Sequence, residues 1–232
     1  MLVDIGTNGE MALWREGTLT VCSTAAGPAF EGVGISMGMR ASFGAIDRVT
    51  LEDKKIKAHV IGDGAPVGIC GSGLVDAVAC LLKSGALDES GYLGNDAIAI
   101  QDSVSVTQED IRMLQLAKSA IFAGLVTLVR TQQISFTGIA SLAIAGGFGC
   151  YLNTENAALI GLLPKELVKK SLAVGNAALD GASMILLNDD FKQASERIAK
   201  RATVIDLASN PIFSEAYMLG MILGENAGDT IY

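Results

Sequence analysis

The chain has 232 residues and a formal net charge of −8, with 17 basic against 25 acidic side chains, and its mean hydropathy is +0.42. The sequence shows no basic patch or stripe, which argues against a nucleic-acid partner. No run approaches the roughly 20 uninterrupted apolar residues that cross a bilayer, so no membrane partner is expected and the apolarity reads as a buried α/β core. Even the apolar stretch from Ser171 to Leu187 is broken by Asn176 and Asp180.

One histidine, His59, excludes a multi-histidine metal centre, and the four cysteines Cys22, Cys70, Cys80 and Cys150 form no C-x-x-C pair. A zinc or iron–sulfur motif is therefore not visible, and the cysteines are expected to be small, reduced core residues. Asp4 and Glu10 within the first ten residues do not fit a signal peptide, and a cytoplasmic location is expected.

In chain order, Met1–Ile5 is strand-like, Gly6-Thr7-Asn8-Gly9 has turn chemistry, and strands resume over Met11–Arg15 and, past Glu16-Gly17, over Leu19–Ser23. This is a three-stranded antiparallel meander. Gly27–Gly44 is irregular, with a short helix near Pro28–Gly32, and Arg48–Ile61 reads as two strands around a charged turn. Gly68-Ile69-Cys70-Gly71-Ser72-Gly73 opens an amphipathic helix that stops at Gly85, and Gly91–Ser105 reads as a polar connection. A long helix starts at Thr107 with a capping-box pattern that uses Asp110, and Ile111, Leu114, Ile121, Leu125 and Leu128 recur at helical spacing. Strand Ser141–Ala145, helix Asn153–Leu162, strand Leu172–Val174, helices Asn176–Leu187 and Phe191–Arg201, strand Ala202–Leu207 and a helix over Phe213–Leu223 follow. A meander followed by alternating helix and strand predicts an α/β, ribonuclease-H-like lobe with a mixed five-stranded sheet and flanking helices.

Four segments carry chemistry. A strand delivers Asp4 to a sheet edge, and the turn Gly6, Thr7, Asn8, Gly9 exposes amides; a carboxylate beside amides suits a Mg²⁺–phosphate group, although D-x-G also begins ordinary hairpins. Gly146, Gly147, Phe148 and Gly149 follow an apolar strand, where the glycines allow a ligand close to the backbone or simply make a tight turn. The pattern is neither G-x-G-x-x-G nor a Walker A loop. Gly71, Ser72 and Gly73 at a helix N-terminus favour an anion, or form a flexible connection. Lys118 interrupts the apolar pattern of the long helix; it either reaches a phosphate or adenosine, or snorkels to solvent.

Leu2–Glu10 resembles the second phosphate loop of the actin-like ATPases (sugar kinase/Hsp70/actin superfamily), and Ala145–Gly149 resembles their adenosine motif. Gly175–Ala182 is similar to the small-residue helix that connects their two lobes. Within that superfamily, Cys22–Gly32, Gly68–Leu74 and Gln115–Ile121 look like the reductive activators of corrinoid-dependent methyltransferases.

The resemblance implies an ATP/ADP-binding domain, with Mg²⁺, in a protein that couples ATP hydrolysis to reduction of a Co(II) corrinoid to Co(I). Asp4 would hold Mg²⁺ or its water, the amides of Gly6–Gly9 and Gly71–Gly73 would face phosphates, Gly146–Gly149 would face adenosine, and Lys118 would lie near the base. It further implies a single C-terminal actin-like domain over residues 1–232, without the family's iron–sulfur domain or first phosphate-loop lobe, and hence no iron–sulfur cluster in this chain. A half-site of this kind is not expected to be catalytic alone. The implied partners are a corrinoid protein and the N-terminal domains or an equivalent chain, with a homodimer as a further candidate. The competing reading is a non-catalytic docking or dimerisation module, with Gly27–Gly44 and its Met37 and Met39 as the docking surface.

Overall fold

The computed structural model describes residues 1–224; residues 225–232 of the expected domain lie outside the described residues. Strands β1 (Leu2–Ile5), β2 (Gly9–Arg15) and β3 (Thr18–Thr24) form the expected antiparallel meander. Its second turn places Glu16 at φ 49° and Gly17 at φ 82°, the positive values a two-residue hairpin turn needs to match strand twist. Strands β4 (Ala45–Glu52) and β5 (Lys55–Val60) pair antiparallel, and short β6 (Gly68–Ile69) joins β4 in parallel. Helix α1 (Gly71–Ser84) packs on β4 and is closed by Gly85 in the left-handed conformation.

The segment expected to be a polar connection is instead a hairpin, β7 (Ala97–Gln101) and β8 (Val104–Thr107). Its inward residues Ile100, Val104 and Val106 are buried, and Asp102 makes the turn at φ 48°. Three apolar positions flanked by polar ones carry too little periodicity to mark two strands; the core they join supplies the missing stabilisation.

Helix α2 (Gln108–Thr131) begins with the complete capping box: the Asp110 amide donates to Thr107 Oγ1 at 3.1 Å, and the Thr107 amide donates to Asp110 Oδ2 at 2.9 Å. Strand β9 (Leu142–Ala145) then runs parallel to β1, short α3 (Thr154–Leu159) follows, and β10 (Ser171–Gly175) runs parallel to β9. Helices α4 (Ala177–Leu187) and α5 (Asp189–Arg201), strand β11 (Thr203–Val204) and helix α6 (Pro211–Leu219) complete the described chain.

The main sheet has the order β10-β9-β1-β2-β3-β11. Five strands stand in the expected ribonuclease-H-like arrangement, and β11 adds a sixth, parallel to β3. One face buries Val3, Ile5, Met11, Leu13, Cys22 and Ile144 against α2. The other face, with Leu2, Ala12, Trp14 and Leu172, is half-buried or exposed, and α4 beside it has no buried residue.

By length and composition α2 could cross a bilayer, but it is the central core helix, packed between the sheet and α6. Its Leu114, Ile121, Leu125 and Leu128 are completely buried. Each contributes about 1.5–3 kcal/mol relative to exposure. Cys22, Cys70 and Cys80 are buried as expected, whereas Cys150 is exposed in the turn after β9.

Candidate functional site

Two of the four singled-out segments line one cleft, and a third, Asp4 with its glycine loop, adjoins it through Glu31 and Gly146. Asp4 lies at the end of β1, half-buried, on the open face of the sheet. The loop after it is held by its own backbone: the Gly6 amide donates to the Asn8 carbonyl at 3.0 Å and the Gly27 amide to the Thr7 carbonyl at 2.9 Å. Thr7 Oγ1 donates to Glu31 Oε1 at 2.6 Å, which ties the loop to the 3₁₀ turn Pro28–Glu31. Gly9 is buried, and an added Cβ would meet Ile121 of α2 at 2.2 Å. Its lack of a side chain thus serves packing, while Thr7 and Asn8 form the exposed part of the loop.

The glycines after β9 divide their duties. Gly146 sits at φ 92°, and an added Cβ would lie 2.7 Å from both Asp4 Oδ1 and the Ile5 carbonyl. Only glycine lets this turn lie against the carboxylate. Gly147 has open space at its Cβ position, and Gly149 packs on Ile144. Phe148 stacks on Phe30, with centroids 4.7 Å apart and planes at 23°.

At the third segment, an added Cβ on Gly71 would meet the Phe30 carbonyl at 2.1 Å and Phe148 at 3.0 Å, so the start of α1 lies against both rings. The first-turn amides of Gly71, Ser72 and Gly73 have no i−4 acceptor within the helix and are the ones an anion would use. Ser72 Oγ donates to the Asp47 carbonyl at 2.9 Å. Gly73 faces away from the cleft, where close packing of α1 on β4 puts its Cβ position 2.2 Å from the Ile46 carbonyl. These walls enclose a cleft of about 320 Å³, lined by Phe30, Glu31, Arg40, Gly71, Ser72, Gly147, Phe148 and Tyr151 among others.

Lys118 is not brought to this cleft. It is completely buried, it does not snorkel, and its amine donates to the Ile222 carbonyl. Burial lowers its pKa from the ordinary 10.5 to about 7. Gln115 and Ser119 on the same helix donate to the carbonyls of Met221 and Tyr217, so this stretch of α2 caps the end of α6. The expected docking segment Gly27–Gly44 is stitched into the lobe: Met37 packs on the core, the Met39 amide donates to the Ile69 carbonyl at 2.9 Å, and Met39 lines the cleft. Asp110 adds to this, accepting from the Ser36 amide at 2.6 Å and from Ser36 Oγ at 3.0 Å.

Sequence reasoning missed Glu31, Arg40, Phe30 and Tyr151 as cleft residues. Only Phe30-Glu31 carried a signal, as part of a longer stretch of resemblance. Behind the cleft, buried Asp76 of α1 accepts from Asn156 Nδ2 at 2.7 Å and from the Val49 amide at 3.2 Å, while Lys83 Nζ donates to Asn156 Oδ1 at 2.8 Å. Desolvation raises the Asp76 pKa above its ordinary value despite these hydrogen bonds. This chain of contacts fixes α1, and with it the amides of Gly71 and Ser72, against α3 and β4.

The residues in and beside the cleft fit a Mg²⁺–nucleotide better than a protein-caged metal. Among the described residues no group of three or more His, Cys, Asp or Glu side chains could hold a metal ion. Mg²⁺ characteristically uses one or two carboxylates, waters and ligand phosphates, and Asp4 with nearby amides provides that donor set.

Residues 1–230 match the family described as the C-terminal domain of RACo, the ASKHA domain. The chain is 37% identical to the corrinoid activation enzyme RamQ of Eubacterium limosum, across 97% of this chain and 43% of that protein. It is 30% identical to a Co(II) methylated amine-specific corrinoid protein reductase of Methanosarcina barkeri, across 94% of this chain and 45% of that one. Among solved structures, a reductive activator for corrinoid,iron-sulfur protein superposes with a TM-score of 0.86 at 37% identity, over 96% of this chain and 39% of that one. The chain thus spans less than half the length of these relatives, and it belongs to the RACo C-terminal ASKHA domain family.

Proposed function

We propose that this chain is the ATP/ADP-binding domain of a corrinoid reductive activator, in which nucleotide binding and hydrolysis drive reduction of a Co(II) corrinoid to Co(I). The observation that carries this reading is a cleft walled by Gly147-Phe148 and the first turn of α1, with Asp4 beside it at the Gly146 turn and the Thr7 loop tied to its wall through Glu31. The relatives named for corrinoid activation and Co(II) corrinoid protein reduction support the second half of it.

In this reading the amides of Thr7 and Asn8 and of Gly71 and Ser72 bind phosphate oxygens, and Arg40 adds a cation in an otherwise acidic chain. Asp4 holds Mg²⁺ or its water, and the metal, when bound, neutralises phosphate charge. Thr7 and Glu31 orient the loop through their 2.6 Å hydrogen bond. Gly147 leaves the approach open for the adenosine, and Phe148 shapes its wall. Lys118 takes no part, because its amine is committed to the Ile222 carbonyl.

The one-electron reduction needs a redox group outside these residues, and the longer relatives have room for one. The open sheet face and the exposed Leu186 and Leu187 of α4 are where the remaining region of such a protein would close the cleft. Nucleotide can shift that closure only through different affinities for the open and closed states.

Calorimetric titration with ADP and ATP, with and without Mg²⁺, tests the site. The expected outcome is Mg²⁺-dependent binding that Asp4→Ala weakens about tenfold or more, a loss of about 1.4 kcal/mol. Binding of equal strength in Asp4→Ala, or none by the folded wild-type chain, would refute the site as described.

A further inference from the structure

At the far end of the open sheet face, away from Asp4, a groove of about 480 Å³ runs between the β2–β3 hairpin and α5. Its floor is apolar: Trp14 is 60% exposed, Ile198 is 51% exposed, and Leu19 is half-buried between them. One rim is cationic. Arg197, Lys200 and Arg201 all line the groove, and their i, i+3, i+4 spacing places them together on α5.

Two features indicate that this is a surface prepared for another molecule. No residue of α5 is buried, although the helix is strongly amphipathic, so its apolar side is only partly used by this chain. None of the three rim cations has an ion-pair partner among the described residues, in a chain whose net charge is −8. The acid nearest in sequence to the hairpin tip, Glu16, is engaged by Arg15 at 3.4 Å, and Arg201 donates to the Gly17 carbonyl at 3.4 Å, which holds α5 over the hairpin.

We propose that this groove docks an acidic amphipathic segment of a partner protein, whose apolar side chains fill the Trp14–Ile198 floor while its carboxylates pair with Arg197, Lys200 and Arg201. An exposed tryptophan flanked by arginines is the residue composition that dominates protein-interface energetics. Charge complementarity selects the sign of the partner and speeds its encounter. A nucleic acid fits less well, because a single aromatic ring offers no run of stacking platforms and the acidic chain repels a long polyanion. The docking surface is separate from the nucleotide cleft, so its test does not depend on nucleotide binding.

Trp14 is the only tryptophan, so its fluorescence reports the groove directly. The probe is a synthetic amphipathic helix with leucine on one face and glutamate on the other, and the control carries lysine in place of glutamate. The acidic peptide is expected to shift Trp14 emission to the blue and to bind about tenfold more weakly at high than at low salt. The Arg197→Glu/Lys200→Glu variant is expected to lose that binding while keeping its circular-dichroism spectrum. Three results would overturn the proposal: equal response to the lysine peptide, an equal or stronger response to an oligothymidylate, or a wild-type dimer that the double variant abolishes, which would make a second copy the occupant.

Discussion

Replacing Lys118 by Met tests the burial of a cation in the α2–α6 interface. Lys118 is completely buried, its amine has the Ile222 carbonyl as partner, and desolvation lowers its pKa from 10.5 to about 7. A base whose folded pKa lies below its unfolded value binds fewer protons folded than unfolded. Stability therefore rises with pH between about 7 and 10.5, and the penalty is greatest below about 7.

At about 1.4 kcal/mol per pKa unit, the penalty is on the order of 5 kcal/mol at pH 6 and about 2 kcal/mol at pH 9. Met fills a similar volume without charge, but it leaves the Ile222 carbonyl without its donor, at a pH-independent cost of about 1–3 kcal/mol. Lys118→Met should therefore be more stable than wild type by about 2–4 kcal/mol at pH 6, and the two should come within about 1 kcal/mol near pH 9. Urea unfolding across that range measures the difference directly. Parallel profiles for the two proteins, or a wild type that loses stability as pH rises through this window relative to the variant, would refute the reasoning.

Gly146→Ala should lower stability by about 1–3 kcal/mol and abolish Mg²⁺–nucleotide binding, because its Cβ would lie 2.7 Å from Asp4 Oδ1 at φ 92°. Gly147→Ala, whose Cβ would meet nothing, should leave the urea midpoint unchanged and weaken only nucleotide binding by calorimetry. Asn156→Ala takes the 2.7 Å donor from the buried Asp76 carboxylate and should cost about 2–3 kcal/mol in urea unfolding; an unchanged midpoint would show that Asp76 does not depend on it. Asp110→Ala removes the acceptor for Ser36 and half of the α2 capping box, and should cost about 2–3 kcal/mol and speed hydrogen exchange at the Ser36 amide. Retained protection at that amide would count against Asp110 as the anchor of the Gly27–Gly44 segment.

The legible part of the fold was the part set by near neighbours. Turn chemistry at Gly6–Gly9 and Glu16-Gly17, the 3.6-residue recurrence from Ile111 to Leu128 and the capping box at Thr107 each depend on residues a few positions apart, and the structure has all of them. The same locality limits what the glycine-rich stretches announce. A glycine-rich stretch announces that backbone must come close to something, but not to what: Gly147 borders the cleft, whereas Gly9, Gly73 and Gly149 make room for Ile121, the Ile46 carbonyl and Ile144.

Lys118 shows the limit most clearly. Its position among apolar residues of a helix suggests a ligand contact or a snorkelling lysine; its buried amine instead meets the Ile222 carbonyl, more than one hundred positions away. The partnership of Asp110 with Ser36, the stacking of Phe30 on Phe148 and the pairing of β11 with β3 likewise join distant segments. Local sequence determined which elements form and where they turn. The path of the chain through the whole fold decided which of their side chains meet, because such contacts are made only when packing brings separate elements within a few ångströms.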